Sequence, residues 1–119
     1  MRYKLLILDD DLSILQMLKN VFPEEIELFL ESDGDAALRR LAAERPNVAI
    51  LDINLQGKSG LEVLREAKKI DPGLAVIMAT GFGTTQTAIE AMKLGAYDYL
   101  TKPFDIKKMQ SIVNKALEC

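Results

Sequence analysis

The sequence predicts an α/β domain in which five parallel strands are covered by helices on both faces. Short apolar runs alternate with amphipathic stretches five times along the 119 residues, as expected of repeated β–α units. Three of the apolar runs are almost continuously hydrophobic, which is typical of parallel strands buried on both faces. Right-handed crossovers leave few ways to wind such a sheet, and the strand order 2-1-3-4-5 is favoured at this length.

The five predicted strands are the short apolar runs. They cover Leu5–Leu8, Ile26–Leu30, Val48–Ile53, Leu74–Ala79 and Tyr97–Leu100. These lengths are ordinary for strands and far too short to cross a membrane as helices.

Capping and stop signals mark the five predicted helices. They begin near Asp11–Leu12, Asp35, Gly60, Thr84 or Thr85, and Asp105, and the first four stop before Pro23, before Pro46, at Asp71-Pro72-Gly73 and at Gly95. The predicted inward positions have helical spacing and are Leu15, Leu18 and Phe22, then Leu38, Leu41 and Ala42, then Leu61, Leu64, Ala67 and Ile70, then Ala88, Ile89 and Met92, and last Ile106, Met109, Ile112, Val113 and Ala116. The result is a doubly wound (βα)5 domain of the flavodoxin-like type.

Composition narrows the classes of function. The chain has no histidine, which excludes imidazole-based catalysis and zinc sites that need imidazole. A net charge of −3 makes the domain a poor binder of nucleic acid, so any DNA contact is expected from another domain. The single cysteine, Cys119, cannot form an internal disulfide, and the sequence has no signal-peptide pattern. We therefore expect residues 1–119 to form one cytoplasmic domain without membrane contact.

Acidic side chains follow two strands that are expected to be neighbours. Asp9 and Asp10 end the first strand, and Asp52 ends the third. In an open parallel sheet, ligands bind beyond the carboxyl ends of the strands at the point where strand order reverses, which here lies between strands 1 and 3. Because adjacent strands are about 4.8 Å apart, the three carboxylates should share one pocket.

Three carboxylates in one pocket repel one another. Two unit charges about 4 Å apart repel by about 1 kcal/mol in water and by about 4 kcal/mol at an effective dielectric of about 20. Either one carboxylate stays protonated or a cation lies among them, and oxygen ligands beside a place for phosphate favour Mg²⁺ or Mn²⁺. The plainer interpretation of the acidic run is a solvated helix N-terminus, which suits Asp11 as a helix cap.

Two further strand ends place polar groups at the same edge. Thr80 ends the fourth predicted strand, and Lys102 follows the fifth. Either residue alone would be interpreted as an ordinary surface residue. With the aspartates, however, they bring an acid pair, a third acid, a hydroxyl and an ammonium group to one edge of the sheet.

This set of groups suits phosphoryl transfer, which needs a nucleophile in line and neutralisation of charge on the phosphoryl oxygens. Asp52 is the candidate nucleophile and would form an acyl phosphate. Mg²⁺ held by Asp9, Asp10 and Asp52 would contact one phosphoryl oxygen, and Mn²⁺ is expected to substitute. Lys102 would pair with a second oxygen and the Thr80 hydroxyl with a third.

Four short stretches contain these residues: Leu8-Asp9-Asp10-Asp11, Leu51-Asp52-Ile53, Ala79-Thr80-Gly81 and Tyr99-Leu100-Thr101-Lys102-Pro103-Phe104. Together they resemble the receiver domain of bacterial two-component response regulators. The match extends over essentially the whole chain with the expected order and spacing. Each motif alone is modestly specific, but the set is highly specific. The run Gly95–Leu100 most resembles receivers attached to enhancer-binding transcription activators.

The resemblance implies a phosphorylation switch. Asp52 would receive its phosphoryl group from a histidine on a partner sensor kinase. Thr80 would then move toward the phosphoryl group, Tyr99 would turn inward, and the Lys102–Pro103 bond would be cis. By strand propensity alone, Tyr99 would be a half-buried aromatic. The fourth helix, fifth strand and fifth helix would present a changed face to a downstream effector or to a second copy, in a stand-alone regulator or a longer protein.

The loop after Asp52 contains one more candidate and one departure. The backbone carbonyl of Asn54 is placed to be a metal ligand, and its side chain is expected to be free to influence the water that hydrolyses the product. Many receivers have a Met-Pro pair where this chain has Leu55-Gln56, which predicts a more mobile loop. Phe82 is placed to shield the site or to touch a partner.

Three alternative functions fit parts of the pattern. A haloacid-dehalogenase-like phosphatase uses similar groups, but it needs its nucleophile on the first strand and a second aspartate where Asn54 stands. A flavodoxin-like carrier of a nucleotide or flavin needs a phosphate-binding loop after the first strand, where Asp9-Asp10-Asp11 would repel phosphate. A receiver-like interaction module that works without phosphate would have no use for the full set of chemical residues.

Overall fold

A computed structural model of the chain describes residues 3–55, 57–81 and 85–118. Strands and helices alternate strictly within them. The strands are β1 (Tyr3–Leu8), β2 (Ile26–Glu31), β3 (Val48–Asp52), β4 (Ala75–Thr80) and β5 (Asp98–Thr101). The helices are α1 (Leu12–Leu18), α2 (Gly34–Glu44), α3 (Gly60–Ile70), α4 (Thr85–Lys93) and α5 (Ile106–Glu118). Over these ranges, no helix combines the length and apolar character needed to cross a bilayer.

The predicted strand order is confirmed. The five strands form one sheet in the order β2-β1-β3-β4-β5, and every neighbouring pair is parallel. β3 lies at the centre of the sheet, and all of its residues are buried. The strand therefore reads as a continuous hydrophobic run up to the aspartate at its end, as a strand covered on both faces should.

The sheet separates two hydrophobic clusters. Successive side chains of β1 alternate between them, since Leu6 and Leu8 belong to one cluster and Leu5 and Ile7 to the other. Helices α2, α3 and α4 cover the first cluster, and α1 and α5 cover the second. This arrangement leaves the carboxyl ends of the strands uncovered by helices, which is where the predicted site lies.

The first helix is shorter than predicted. It ends at Leu18 rather than just before Pro23, and the N–H of Val21 donates to the Leu18 carbonyl at 3.2 Å in a turn. The helical hydrogen bonds give way to this turn at Lys19, the C-cap residue, well before Pro23. Phe22 therefore does not lie on a helix face, although it is half-buried and packs against the second cluster.

Three predicted inward positions are wrong. Ala42 in α2 is exposed, because the buried stripe of that helix consists of Gly34, Ala37 and Leu41. In α4, Ile89 and Met92 are 44% and 49% exposed. The small residue Ala91 is the buried one there, so the larger side chains on either side of it point outward. The exposed pair makes an apolar patch on α4.

Candidate phosphoacceptor site

The three aspartates converge at the switch between β1 and β3. Leu8 pairs with Leu51, so the next residues along each strand, Asp9 and Asp52, lie side by side. Carboxylate oxygens of Asp9, Asp10 and Asp52 all lie within 4.8 Å of one another. Asp9 and Asp52 are each only 2% exposed, whereas Asp10 is exposed to solvent. The pocket is therefore a buried carboxylate pair with a third carboxylate at its mouth.

Lys102 reaches into this pocket from the end of β5. Its ammonium nitrogen lies 2.7 Å from Asp9 Oδ2 and 3.1 Å from Asp52 Oδ2. One lysine thus bridges the two buried carboxylates, as a charge-assisted hydrogen-bond donor to both. The pairing that joins Thr80 at the end of β4 to Thr101 in β5 brings the lysine to this edge.

Backbone amides hold the other oxygen of each buried carboxylate. The N–H of Asp11 donates to Asp9 Oδ1 at 2.9 Å, and the N–H of Asn54 donates to Asp52 Oδ1 at 3.0 Å. Asp11 itself caps α1, as predicted, because its side chain accepts from the Ser13 N–H at 3.0 Å. The orientation of both buried carboxylates is therefore fixed by the loops that leave β1 and β3.

The pocket contains more acidic than basic groups. Burial raises the pKa of the Asp9 carboxyl, and the repulsion from Asp52 adds to this, although hydrogen bonds from Lys102 and the Asp11 amide oppose the shift. Burial alone would lower the pKa of Lys102, but its hydrogen bonds to Asp9 and Asp52 outweigh that effect and raise it. Lys102 is thus firmly cationic, and one positive charge faces three carboxylates.

This donor set fits a hard divalent cation. The three carboxylates supply only oxygen ligands, one of them exposed at the mouth, which is the chemistry that Mg²⁺ and Mn²⁺ prefer. The raised pKa of Asp9 reports the cost of an ionised carboxylate there without a metal.

Comparison with known proteins settles the family. A family model described as "Response regulator receiver domain" matches residues 5–114. The chain belongs to this family. The resemblance of the motifs to a receiver domain is therefore confirmed, and the chain is a receiver of response-regulator signalling.

Two curated relatives illustrate the range of proteins that contain such receivers. The nitrogen assimilation regulatory protein NtrX of Azorhizobium caulinodans is 39% identical over 121 residues, which cover 99% of this chain and 27% of NtrX. The sporulation initiation phosphotransferase F of Bacillus subtilis is 36% identical over 118 residues, which cover 98% of this chain and 95% of the phosphotransferase. This chain thus spans about a quarter of one relative and nearly all of the other.

Solved receiver structures have the same architecture. A CheY-like receiver domain protein from Methanospirillum hungatei superposes with a TM-score of 0.94 at 28% identity, over 99% of this chain and 95% of that one. The BeF3-activated receiver domain of DrrB superposes with a TM-score of 0.92 at 28% identity, over the full length of both chains. The fold predicted from the sequence is therefore confirmed by experimental structures as well.

The Thr80 hydroxyl has a partner that the sequence did not indicate. Thr80 is buried at the end of β4, at the predicted edge, and its hydroxyl donates a hydrogen bond to the side-chain carbonyl oxygen of Asn54. This partner of the Asn54 side chain was not predicted from the sequence, and the expected influence of that side chain on the hydrolytic water stays a prediction. The two residues are 26 positions apart, so no local periodicity in the sequence could have indicated this contact.

The receiver's remaining predicted residues lie near β5. Tyr99 is half-buried and packs against the first hydrophobic cluster, as strand propensity predicts for an aromatic residue. The Lys102–Pro103 bond is cis, as the resemblance implied. Four residues of the sequence-based interpretation lie outside the described residues: Gln56, Phe82, Thr84 and Cys119.

Two sets of contacts after β3 were not predicted from the sequence, although Gly60 was predicted to begin a helix. Gly60 begins α3 so close to β3 that a Cβ there would lie 2.1 Å from the Asp52 carbonyl oxygen. Lys58 joins the loop after β3 to two helices, since its nitrogen lies 3.2 Å from Asp35 Oδ1 and 2.7 Å from Glu66 Oε2. Both contacts depend on how separate elements meet in space.

Proposed function

We propose that this receiver is a phosphorylation switch in which Asp52 is the phosphoacceptor. The observation that supports this most directly is the single lysine, Lys102, that contacts both Asp52 and Asp9 at the edge of the sheet. A nucleophilic carboxylate needs a cation beside it when three negatively charged phosphoryl oxygens approach. The amide of Asn54 holds one Asp52 oxygen, while the other faces the lysine.

The donor of the phosphoryl group is proposed to be a phosphohistidine on a sensor histidine kinase. An Asp52 oxygen attacks phosphorus, the phosphorus–nitrogen bond breaks, and the departing imidazole retains its electron pair and takes up a proton. Lys102 pairs with one phosphoryl oxygen and the Thr80 hydroxyl donates to another. The chain acts as an enzyme only on itself, in gaining and losing its own phosphoryl group.

The metal proposed for this site is Mg²⁺, with Mn²⁺ as a substitute. Its ligands would be the carboxylates of Asp9, Asp10 and Asp52 and the backbone carbonyl of Asn54. A bound divalent cation would neutralise charge on the phosphoryl oxygens. Backbone amides of this chain orient the acceptor for that reaction, because each buried carboxylate accepts a hydrogen bond from one of them.

The output is proposed to run through α4, β5 and α5. Thr80 and Tyr99 would shift when the phosphoryl group arrives, and the face of these elements would then bind a downstream effector domain or protein, or a second copy. Ile89 and Met92 already expose apolar surface on this face. With a net charge of −3, the domain itself is not expected to contact nucleic acid.

The proposed unit is a single receiver domain over residues 1–119 that works in the cytoplasm. The alternative function is a receiver-like module that binds its partner without phosphate. The charged pocket favours the phosphorylation switch. The repulsion between Asp9 and Asp52 destabilises the fold, and a module without phosphate chemistry would have no function for this pair.

The proposal is tested by intact mass spectrometry after incubation with acetyl phosphate. We expect one phosphoryl adduct in the presence of Mg²⁺, none without it, and none for Asp52→Asn. Asp33→Asn is the matched control, because Asp33 is an exposed cap of α2 and asparagine also caps helices well. Absence of an adduct at every time, including the earliest, would support the module that binds without phosphate. An adduct on Asp52→Asn would place the acceptor elsewhere.

A further inference from the structure

The loop residue Asn54 contacts both the proposed phosphoacceptor and the Thr80 hydroxyl. Its backbone N–H donates to Asp52 Oδ1 at 3.0 Å. Its side-chain carbonyl oxygen accepts the hydrogen bond from Thr80. Asn54 thus lies between the end of β3 and the end of β4, with separate groups engaged on each side.

A hydroxyl group has one proton to donate. While the Thr80 hydroxyl donates to the carboxamide of Asn54, the same proton is not available to a phosphoryl oxygen on Asp52. The two acceptors therefore compete for one donor. A phosphoryl oxygen is charged and accepts the stronger hydrogen bond. The net free energy gained is smaller, however, because the hydrogen bond from Thr80 to Asn54 must first be broken.

Burial indicates which of the two side chains moves when their hydrogen bond breaks. Thr80 is buried at the end of a central strand, whereas Asn54 is exposed and lies in the loop beyond β3. The side chain of Asn54 can rotate into solvent, where water replaces the lost hydrogen bond. The released Thr80 hydroxyl can then donate to the phosphoryl group.

We propose that Asn54 is a positioning residue whose side chain holds the Thr80 hydroxyl in the unphosphorylated receiver. This inference rests on the proposed function, since the competitor is a phosphoryl group on Asp52. The carboxamide acts as a latch that opposes the activated state, so its removal shifts the receiver toward that state. The backbone of Asn54, with its amide contact to Asp52 and its carbonyl, is not needed for the latch and stays in place in an alanine variant.

The test is equilibrium binding of beryllium fluoride in the presence of Mg²⁺, followed by ¹H–¹⁵N NMR spectra of the folded protein. This phosphoryl mimic does not undergo hydrolysis by the site water, so any influence of Asn54 on phosphoryl lifetime does not enter the measurement. We expect Asn54→Ala to bind beryllium fluoride about two- to tenfold more tightly than the wild type, the range that one net neutral hydrogen bond provides.

The same substitution in a Thr80→Val background shows whether the effect runs through the hydroxyl. Valine has nearly the shape of threonine but no proton to donate, so Asn54→Ala should change affinity there by a factor close to one. An equal gain in both backgrounds would overturn the latch, as would unchanged or weaker binding by Asn54→Ala alone. Failure of the wild type to bind the mimic at all would instead overturn the proposed function together with the latch.

Discussion

The ammonium group of Lys102 donates to the carboxylate of Asp9 across 2.7 Å. The same nitrogen lies 3.1 Å from Asp52 Oδ2, so one lysine serves two carboxylates that are almost completely buried. Before any phosphoryl group arrives, Lys102 therefore stabilises the fold of this edge. On phosphorylation, Lys102 would also pair with a phosphoryl oxygen. Its ammonium group would then divide its hydrogen bonds between that oxygen and Asp9.

We predict that Lys102→Met destabilises the metal-free protein at pH 7 by about 3 kcal/mol, because it leaves two buried carboxylates without their cation. Lys58→Met is the matched control. Lys58 also bridges two carboxylates, but the side chains of Asp35 and Glu66 are 63% and 44% exposed. Its removal should cost little stability, as expected of ion pairs in solvent. The measurement is urea unfolding with a chelator present.

Equal losses of stability for the two lysine variants would contradict this account. The contribution of a lysine to the free energy of unfolding would then not depend on the burial of its partner carboxylates. Added Mg²⁺ should stabilise Lys58→Met as much as the wild type, and it should narrow the difference in stability between Lys102→Met and the wild type.

Asp9→Asn should raise the free energy of unfolding at pH 7 in the absence of metal. The pKa of Asp9 is raised chiefly by burial, so the folded protein holds this proton at pH values where the unfolded chain, with its ordinary value of about 3.8, has lost it. The stabilising contribution is complete below that value and is lost as the pH rises through the higher pKa of the folded state. The advantage of the variant should therefore grow over that window, in urea unfolding measured from acid to neutral pH.

With Mg²⁺ present, the wild type should have a higher free energy of unfolding than Asp9→Asn, the reverse of the order without metal. A cation at 100 times its dissociation constant stabilises a fold by about 2.7 kcal/mol. The wild type should gain this amount, and Asp9→Asn should gain less because it offers one carboxylate fewer. Equal gains would show that Asp9 is not a metal ligand.

The position of the site was predictable because it depends on strand ends. Asp9, Asp52 and Thr80 each follow a buried apolar run, and parallel topology forces such ends to one edge. Helix faces were less predictable. Periodicity shows that α4 has an apolar side, but Ile89 and Met92 are as hydrophobic as core residues, and packing selected the smaller Ala91 for burial.

Contacts made by the loop after β3 could not be predicted at all. The hydrogen bond from Thr80 to Asn54 depends on how this loop approaches the end of β4, and nothing in either segment alone specifies the pairing. The same is true of Gly60, whose need for a small residue arises from the backbone of a neighbouring strand. Sequence patterns indicate which side chains each element buries. They do not show the constraints on Asn54 and Gly60, because these come from a second element.

Gly60→Ala should destabilise the protein by about 1–3 kcal/mol or more, since its Cβ would overlap the backbone of Asp52 and Ile53. The nearest atoms would be 2.1 and 2.5 Å away, and both belong to the main chain. Gly73→Ala is the control, because its Cβ would meet only Asp71 Oδ1, at the ordinary distance of 3.6 Å. Thermal unfolding of both variants measures the difference.

A tolerated alanine at position 60 would mean that α3 can withdraw from β3 without cost. Phosphorylation of Gly60→Ala by acetyl phosphate is a second readout. We expect it to slow, because the backbone that must move belongs to the acceptor Asp52 itself.

Beryllium fluoride should turn a monomer into a dimer if the apolar patch on α4 is used by a second copy. We predict that Ile89→Glu and Met92→Glu abolish this change of mass in sedimentation, because each would place a charge in a desolvated interface. Leu12→Glu is the control, since Leu12 is 69% exposed on α1, away from the patch. A wild type whose mass does not respond to beryllium fluoride would count against the dimer.

The central position of β3 has a consequence for how the signal spreads. Its residues are all buried between β1 and β4, so its backbone amides should exchange hydrogen with solvent only when the whole domain unfolds. Asp52 is the last residue of this strand, whereas Asn54 lies in the loop beyond it. The proposed phosphorylation would therefore take place at the boundary between amides that we expect to exchange slowly and loop amides that we expect to exchange faster.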